Sequence, residues 1–221
     1  MTEDIDLAIA VDSWDNFEEL KTAFPSSSGA WQEICVGGIR VDVVPFGTIE
    51  KPPGKIAPVD GFVLNVAGMQ QVFTAAEPYQ LDSETEILLP TVPGLGAMKL
   101  HSWLDRREKG ISKDAADVAL IFTWLEDDEV ILWREYLEVG PSEFEGEPEV
   151  MAAFLLGNQV GRLLGTEQGC LLLKRFEVAD EEVLELLAQE LGTLEGSSLG
   201  KKIRMRQVEA MVEGLRSAVK E

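Results

Sequence analysis

The chain has 221 residues, 45% of them hydrophobic, and its 40 acidic and 19 basic side chains give a formal net charge of -21. This length allows one domain or two modest ones with a real core. The charge argues against broad, non-specific binding to nucleic acid or acidic membranes. No apolar run reaches the roughly 18–20 residues of a membrane span, and the N-terminus lacks the basic region of a secretory signal. Cys35 and Cys170 lie too far apart in sequence for a metal or redox motif, so we expect a soluble, cytoplasmic protein.

The charge is unevenly distributed along the chain. Residues 99–117 hold five basic and four acidic side chains, and residues 200–221 hold six and three, against a strongly acidic remainder. A cationic segment at a helix surface can simply be solvated and locally ion-paired. For the tail from Lys201 this interpretation and a binding role are equally open, whereas for residues 99–113 we favour function.

The predicted elements of the first half are short strands and helices. Residues 2–11 alternate apolar and polar side chains, which predicts a strand that buries Ile5 and Leu7 on one face. Asp12 and Ser13 are good N-caps for the helix that follows. Further strands are predicted at 31–36, 39–44, 62–67 and 86–89, and helices at 14–24, 69–76, 97–109 and 113–125. A turn is predicted at Gly37-Gly38, the end of a strand at Pro45 and Gly47, a helix cap at Ser112, and loops at 48–60 and 90–96.

Helical patterns dominate after residue 128, at 130–139, 149–164, 180–191 and 205–219, with an acidic loop at 143–149. The sequence therefore predicts an α+β protein with a mixed sheet flanked by helices, followed by a helical C-terminal module. We place the α+β domain at 1–139 and the helical domain at 140–221.

The sharpest feature of the sequence is the pair Asp4 and Asp6. On a strand, residues two apart point the same way, so both carboxylates project from one face. Two anions this close repel unless a cation lies between them, and Mg²⁺ prefers such oxygen ligands. Alone, the pair is more often part of a solvated strand face.

A third carboxylate, Asp42, lies between Val41 and Val43 in a second alternating strand. An ionisable group there is costly unless it reaches solvent or a metal. If the two strands are neighbours, three carboxylates converge. This arrangement is typical of phosphoryl- and nucleotidyl-transfer enzymes with two metal ions.

The segments TEDIDLAIAV, IRVDVVPFG and LLPTVPGLGAMKLHSWLDRREKGISKDAADV together resemble the nucleotidyltransferase superfamily of DNA polymerase β-like fold, and more closely its AbiEii-type toxins. The resemblance covers roughly residues 2–125. It implies transfer of NMP from an NTP to an acceptor hydroxyl with Mg²⁺ or Mn²⁺, in a toxin–antitoxin setting with an antitoxin as partner. The acceptor stays open between RNA, a protein and a small molecule.

The resemblance also implies the site residues. Asp4, Asp6 and Asp42 would bind the metal and, with Asp114, carry catalysis, whereas Lys99, Arg106 and Arg107 would contact the triphosphate. The alternatives are that Lys99 is a surface lysine, that Asp114 and Asp117 favour a helix dipole, and that Arg107 is an ion-pair partner. His101 is the sole histidine and is interpreted as incidental, and nucleophilic hydrolysis is poorly supported.

In the family, a Gly-Gly or Gly-Ser turn that binds phosphate precedes the paired aspartates. Here the sequence begins three residues before Asp4, without that strand, turn and helix. Either the start codon was assigned too late, or the element is missing, in which case we expect a sheet edge with part of an apolar face to be exposed. Two alternatives follow from these features. The chain could be a catalytically inactive nucleotidyltransferase fold with a binding or regulatory role, or its acidic helical half could bind a basic partner protein.

Overall fold

The computed structural model describes residues 5–107, 110–178, 181–192 and 200–220. The chain divides into two compact units, residues 1–70 and 71–221. Small sheets and a helical C-terminal region confirm the predicted fold class. The predicted boundary between an α+β domain and a helical domain, at residues 139 and 140, stays a prediction. No described helix combines the length and apolar character needed to cross a membrane.

The first unit is built on a three-stranded mixed sheet. Its elements are β1 (Ile5–Val11), α1 (Trp14–Ala23), β2 (Glu33–Val36) and β3 (Ile39–Gly47). β1 pairs with β3 in parallel and β2 pairs with β3 antiparallel, which gives the strand order β1-β3-β2. Among the described residues, β1 is therefore an edge strand of this sheet.

The β2–β3 hairpin turns at Gly37 and Gly38, as predicted, with φ angles of 59° and 84°. Two positive φ angles in succession are the conformation that a tight two-residue hairpin needs, and glycine adopts it without steric cost. β3 ends at Gly47, one of the two residues predicted to end it, but Pro45, the other, lies within the strand. β2 pairs with β3 only as far as Asp42, and beyond it Pro45 has a neighbour on the β1 side alone, opposite Ile9. A missing N–H is tolerated at such a one-sided position.

Helix α1 begins at its predicted cap, since the Ser13 hydroxyl accepts a hydrogen bond from the backbone N–H of Asn16. Its Phe17 packs into a core cluster on one face of the sheet. The cluster reaches along β1 only to Ile9, and Ile5 and Leu7 are 48% and 51% exposed. The prediction that these two side chains are buried is therefore wrong, because they lie on an edge strand beyond the reach of α1.

Part of the predicted 48–60 loop is also a strand. β4 (Lys55–Val59) pairs antiparallel with β5 (Phe62–Asn65), and the ladder shifts register between Ile56 and Val59. Pro58 lies within that irregular stretch, where the absence of a donor costs least. The other face of the sheet packs on this hairpin through a cluster that includes Phe46 and Ile56.

The second unit is mostly helical. Helix α2 (Met69–Thr74) spans the boundary between the units, and a hairpin of β6 (Glu77–Gln80) and β7 (Glu86–Leu89) follows. The remaining elements are α3 (Val92–Arg106), α4 (Lys113–Asp127), α5 (Glu129–Val139), a short 3-10 helix (Ser142–Phe144), α6 (Pro148–Glu177), α7 (Glu181–Leu191) and α8 (Lys201–Lys220). One core cluster unites α3 to α8, with Trp103, Phe122 and Phe154 among its large members.

Several helices begin or end differently from the prediction, and α3 and α6 show the largest differences. α3 begins within the predicted 90–96 bend, because Thr91 caps it and Pro93 lies in its first turn, where proline is tolerated. Gly96, interpreted as a bend residue, is a packing residue, since a Cβ there would lie 2.7 Å from Leu156 Cδ1. α6 runs past the predicted end at residue 164, with a break at Gly165, where φ is 69°.

The C-terminal helix α8 packs on α6 at very short range. A Cβ on Gly157 would lie 1.9 Å from Met211 O, and one on Gly214 would lie 2.1 Å from Phe154 O. Such backbone-to-backbone contact is possible only where neither helix carries a side chain at the crossing.

Candidate active site

Two of the predicted metal-binding carboxylates lie side by side in the first unit. Asp6 of β1 and Asp42 of β3 are register partners in the parallel ladder. Register partners share a face of the sheet, so both side chains leave from the same side. This confirms that the two strands are neighbours. Asp4 lies outside the described residues.

Glu33 lies next to Asp42 on β2, and sequence reasoning missed it. We call Asp6, Asp42 and Glu33 the carboxylate row. Glu33 is the register partner of Asp42 on β2, opposite Asp6. The Ser26 hydroxyl donates a hydrogen bond to Glu33 Oε1. This bond, helped by Ser28 and by the charge of Arg40, holds the pKa of Glu33 below its usual range. The signal was present, because counting back from a two-residue turn at Gly37-Gly38 pairs residue 33 with residue 42.

The donor chemistry of this row suits a hard divalent cation. Asp6 and Asp42 offer carboxylate oxygens from adjacent strands, which are the ligands that Mg²⁺ prefers. Within the described residues, no three acidic, histidine or cysteine side chains are grouped closely enough to hold an ion. Asp4, the residue two positions before Asp6, is not among them, so the three-aspartate set stays a prediction.

A second group of predicted site residues meets between α3 and α4 in the helical unit. Lys99 Nζ lies 2.6 Å from Asp117 Oδ2 and 3.9 Å from Asp114 Oδ1. Arg106 Nη1 lies 3.2 Å from Asp114 Oδ2. The Asp114 side chain is almost fully buried, whereas the side chains of its cationic partners Lys99 and Arg106 are 34% and 40% exposed. Two of the three cations predicted to meet a triphosphate, Lys99 and Arg106, are thus already paired with carboxylates.

Local sequence explains how Asp114 reaches this position. It lies in the first turn of α4, where a negative charge is favoured by the helix dipole. Ser112 occupies the N-cap position, but its side chain makes no capping hydrogen bond, so the predicted side-chain cap is wrong. Arg107 differs from Arg106 in its contacts. Its guanidinium lies over the aromatic ring of Trp103, 6.0 Å from the ring centre.

The carboxylate row and the group formed by Lys99, Arg106, Asp114 and Asp117 belong to different compact units. Each is formed within its own unit, by neighbouring strands in one case and neighbouring helices in the other. That the two groups serve one reaction stays a prediction.

The first unit also holds an open cleft of about 390 Å³, lined by Ala10, Val11, Asp12, Gly47, Thr48, Glu50 and Gln70. It lies at the carboxyl ends of β1 and β3, away from Asp6 and Asp42. Two of its polar side chains, those of Glu50 and Thr48, already have internal partners. Glu50 accepts hydrogen bonds from the backbone N–H groups of Gly47 and Gly54 at 2.9 and 2.7 Å, and the Thr48 hydroxyl donates to the carbonyl of Asp12. We interpret these Glu50 and Thr48 contacts at the cleft as structural.

Comparison with known families adds an independent observation. A family model described as the nucleotidyl transferase AbiEii toxin of type IV toxin–antitoxin systems matches residues 1–153. The chain belongs to the AbiEii family. No curated protein matches this chain. No solved structure matches it either. The match covers both groups of predicted site residues and ends within α6.

In this AbiEii family member His101 has a structural role that its sequence position did not reveal. Its ring is buried, and Nδ1 lies 2.9 Å from Arg175 Nη1, while Arg175 Nη2 lies 2.5 Å from Asp105 Oδ1. Burial, helped by the arginine charge, lowers the pKa of His101 to about 4. The neutral ring therefore accepts from Arg175 and links α3 to α6.

The basic tail of this AbiEii chain is helix α8, and several of its cations form ion pairs. Lys201 Nζ lies 3.1 Å from Glu185, and Arg206 pairs with Glu147 of the acidic 143–149 segment. Arg204 is buried and donates to Gln207 Oε1 at 2.8 Å. These contacts support the interpretation of the tail as an ion-paired helix surface rather than as a nucleic-acid-binding arm.

Proposed function

We propose that this AbiEii family member is a divalent-metal-dependent nucleotidyltransferase that moves NMP from an NTP to an acceptor hydroxyl. The observation that carries the proposal is the register pairing of Asp6 with Asp42, in a chain that belongs to a nucleotidyl transferase family. We assign the metal to Asp4, Asp6 and Asp42. Asp6 and Asp42 have the oxygen chemistry and the shared sheet face that such a role needs.

In the proposed reaction the acceptor oxygen forms a bond to the α-phosphorus of the NTP. The bond between that phosphorus and the bridging oxygen breaks, and pyrophosphate leaves with the electron pair. The hydroxyl proton passes to a carboxylate of the Asp6–Asp42 row or to solvent. A bound divalent cation would activate the hydroxyl and neutralise charge on the leaving pyrophosphate.

We assign phosphate binding to Lys99 and Arg106, with Asp114 as the acidic residue that orients them. A buried carboxylate beside two partly exposed cations fixes their positions before a ligand arrives. Arg107 has a weaker claim, because its guanidinium lies near the Trp103 ring.

A second candidate function is binding or regulation by a catalytically inactive member. The ion pairs of Lys99 and Arg106 favour it, since a triphosphate must compete with Asp117 and Asp114 for these cations. Nucleotide binding without transfer is the outcome that separates this candidate from the first.

The test is incubation of the full chain with each α-³²P-labelled NTP, Mg²⁺ or Mn²⁺, and total RNA, protein extract or small hydroxyl compounds as acceptors. We expect label transfer that needs the metal and is lost in Asp6→Asn and Asp42→Asn. Asp60→Asn is the matched control, because Asp60 is an exposed aspartate of the same unit. Failure of the wild type to transfer label with any NTP and acceptor would overturn the proposal.

A further inference from the structure

The β6–β7 hairpin of the helical unit has no third strand among the described residues. Tyr79 pairs with Ile87 and Glu77 with Leu89 in an antiparallel ladder of only two strands. All eight strand residues are exposed. A hairpin of this kind is marginally stable alone in water, so its exposure needs an explanation.

One face of this hairpin is largely apolar. Tyr79, Ile87 and Leu89 share that face by register, Leu81 continues it two residues beyond Tyr79, and Glu77, opposite Leu89, is its one charged member. The four apolar side chains are 54%, 36%, 42% and 55% exposed in the same order. A continuous apolar face with these exposures is typical of a protein-interaction surface.

The turn holds the hairpin in shape without help from the core. Asp82 Oδ1 accepts hydrogen bonds of 2.8 Å from the backbone N–H groups of Glu84 and Thr85, and these bonds lower the pKa of Asp82. The Gln80 side-chain amide donates to the carbonyls of Asp82 and Thr85 at 2.6 and 3.1 Å. The exposed face is therefore pre-organised, which reduces the entropy lost when a partner binds.

The two edges of the hairpin differ. β6 contains Pro78, which cannot donate to an added strand, and proline on an edge blocks pairing. β7 (Glu86–Leu89) has a donor at every position. An added strand would therefore pair with β7.

The surrounding charge indicates the partner. Residues 56–98 contain five acidic side chains and no lysine or arginine. Four of the five, Glu77, Asp82, Glu84 and Glu86, lie on the hairpin itself. A second copy of this chain would bring the same negative charges to the contact, whereas a basic segment would be attracted and steered to it.

We propose that the β6–β7 hairpin is a docking site for a basic, extended segment of a partner protein, which adds a third strand along β7 and covers the apolar face. Main-chain hydrogen bonds to β7 give the register, alternate apolar side chains of the partner pack on the face of Tyr79 and Ile87, and its basic side chains, on the opposite face, meet Glu86.

The test uses the full chain and a short synthetic peptide that alternates lysine and valine. Binding is followed by fluorescence anisotropy at physiological salt, and protection of β7 backbone N–H groups by hydrogen exchange. We expect saturable binding and protection of the Glu86 and Leu88 N–H groups, which face away from β6 because the Leu81 N–H donates to the Thr85 carbonyl and the ladder alternates from there. A lysine–proline peptide of equal charge cannot pair as a strand, so we expect it to bind about tenfold or more weakly, or about 1.4 kcal/mol.

Three variants sharpen the test. We expect Ile87→Ser and Glu86→Lys each to weaken binding several-fold, and the second variant keeps the apolar face intact. Val130→Ser is the matched control, because Val130 is an exposed apolar residue of α5 in the same acidic unit. Equal binding of both peptides, or no effect of either hairpin variant, would overturn the proposal. Dimerisation of the chain that Ile87→Ser abolishes would also overturn it, in favour of a second copy.

Discussion

Lys99 Nζ lies 2.6 Å from Asp117 Oδ2, and this ion pair joins α3 to α4 at the point where the nucleotide triphosphate is proposed to bind. The pair is partly exposed, with 34% of the lysine side chain and 43% of the aspartate side chain accessible. In the proposed site, Asp117 would therefore compete with a phosphate for Lys99.

The first prediction concerns this competition. We expect Asp117→Asn to raise the affinity for NTP several-fold, because Lys99 is released from its closest partner. The free energy of unfolding should change by less than about 1 kcal/mol, since exposed ion pairs contribute little. Titration with a fluorescent NTP analogue measures the affinity, and urea unfolding measures the stability. A fall in NTP affinity would show that Asp117 helps to hold the nucleotide.

Asp114 should behave differently from Asp117, although both are partners of Lys99. Its carboxylate is buried and joins Lys99 to Arg106, so Asp114→Asn leaves two cations without their shared partner. We expect a loss of about 2 kcal/mol in the free energy of unfolding. Urea unfolding checks it, with Asp117→Asn as the matched control. Equal stability of the two variants would contradict the prediction.

The paired carboxylates of the sheet should respond to divalent ions. Without metal, Asp6→Asn or Asp42→Asn relieves repulsion between register partners, so we expect the free energy of unfolding to rise by about 0.5 kcal/mol. Ligand binding to the folded state adds about 2.7 kcal/mol at a hundred times Kd, so wild type should be stabilised by MgCl₂ and both variants should not. Thermal unfolding with and without MgCl₂ measures this. Loss of the magnesium response in Asp60→Asn as well would show that the effect is not specific to the row.

His101 should make stability depend on pH. Its pKa is about 4 in the folded chain and 6.5 in its ordinary state, so the unfolded chain takes up the proton first as pH falls. The stabilising contribution is therefore complete above about pH 6.5 and is lost as pH falls towards 4. From about pH 7 to about pH 5 we expect wild type to lose about 2 kcal/mol relative to His101→Gln. Urea unfolding across that range tests this, and parallel curves for the two proteins would contradict it.

The glycine contact between α6 and α8 gives a stability prediction. A Cβ at Gly214 would lie 2.1 Å from Phe154 O, so Gly214→Ala must push the helices apart. We expect the free energy of unfolding to fall by about 3 kcal/mol or more, at the upper end of the cost of overpacking. Gly200→Ala is the control, since a Cβ at Gly200 has no neighbour within 4 Å. Similar urea midpoints for both variants would show that the crossing relaxes easily.

Local patterns predicted those elements whose periodicity is strong. The alternation around Asp6 and Asp42 predicted two strands, and the Gly37-Gly38 turn predicted the hairpin that positions Asp42. The position of Glu33 opposite Asp42 could also have been predicted, by counting residues back from that turn. β6 could not have been predicted, because Glu77–Gln80 is four residues long, contains a proline and shows no apolar alternation.

Other features depend on tertiary placement. Whether Lys99 faces a ligand or Asp117 is decided by how α3 and α4 pack, which helical spacing alone does not determine. Proline and glycine at 93–96 indicated a bend, but the close approach of Leu156 and the Thr91 cap favour helix there. Ile5 and Leu7 were predicted as buried because alternation marks an apolar face without showing how much of it a neighbour covers.

The close crossing of α6 and α8 also bears on the order of folding. On the ribosome α6 is made well before α8, so the groove beside Gly157 stays open until α8 emerges and can be occupied only then. The β1–β3 ladder, by contrast, closes over fewer than fifty residues. The sheet that carries Asp6 and Asp42 can thus form early, whereas the helices that carry Lys99 and Asp114 complete their core late. Synthesis itself would then impose a delay between the appearance of the carboxylate row and the appearance of the cations proposed to serve with it.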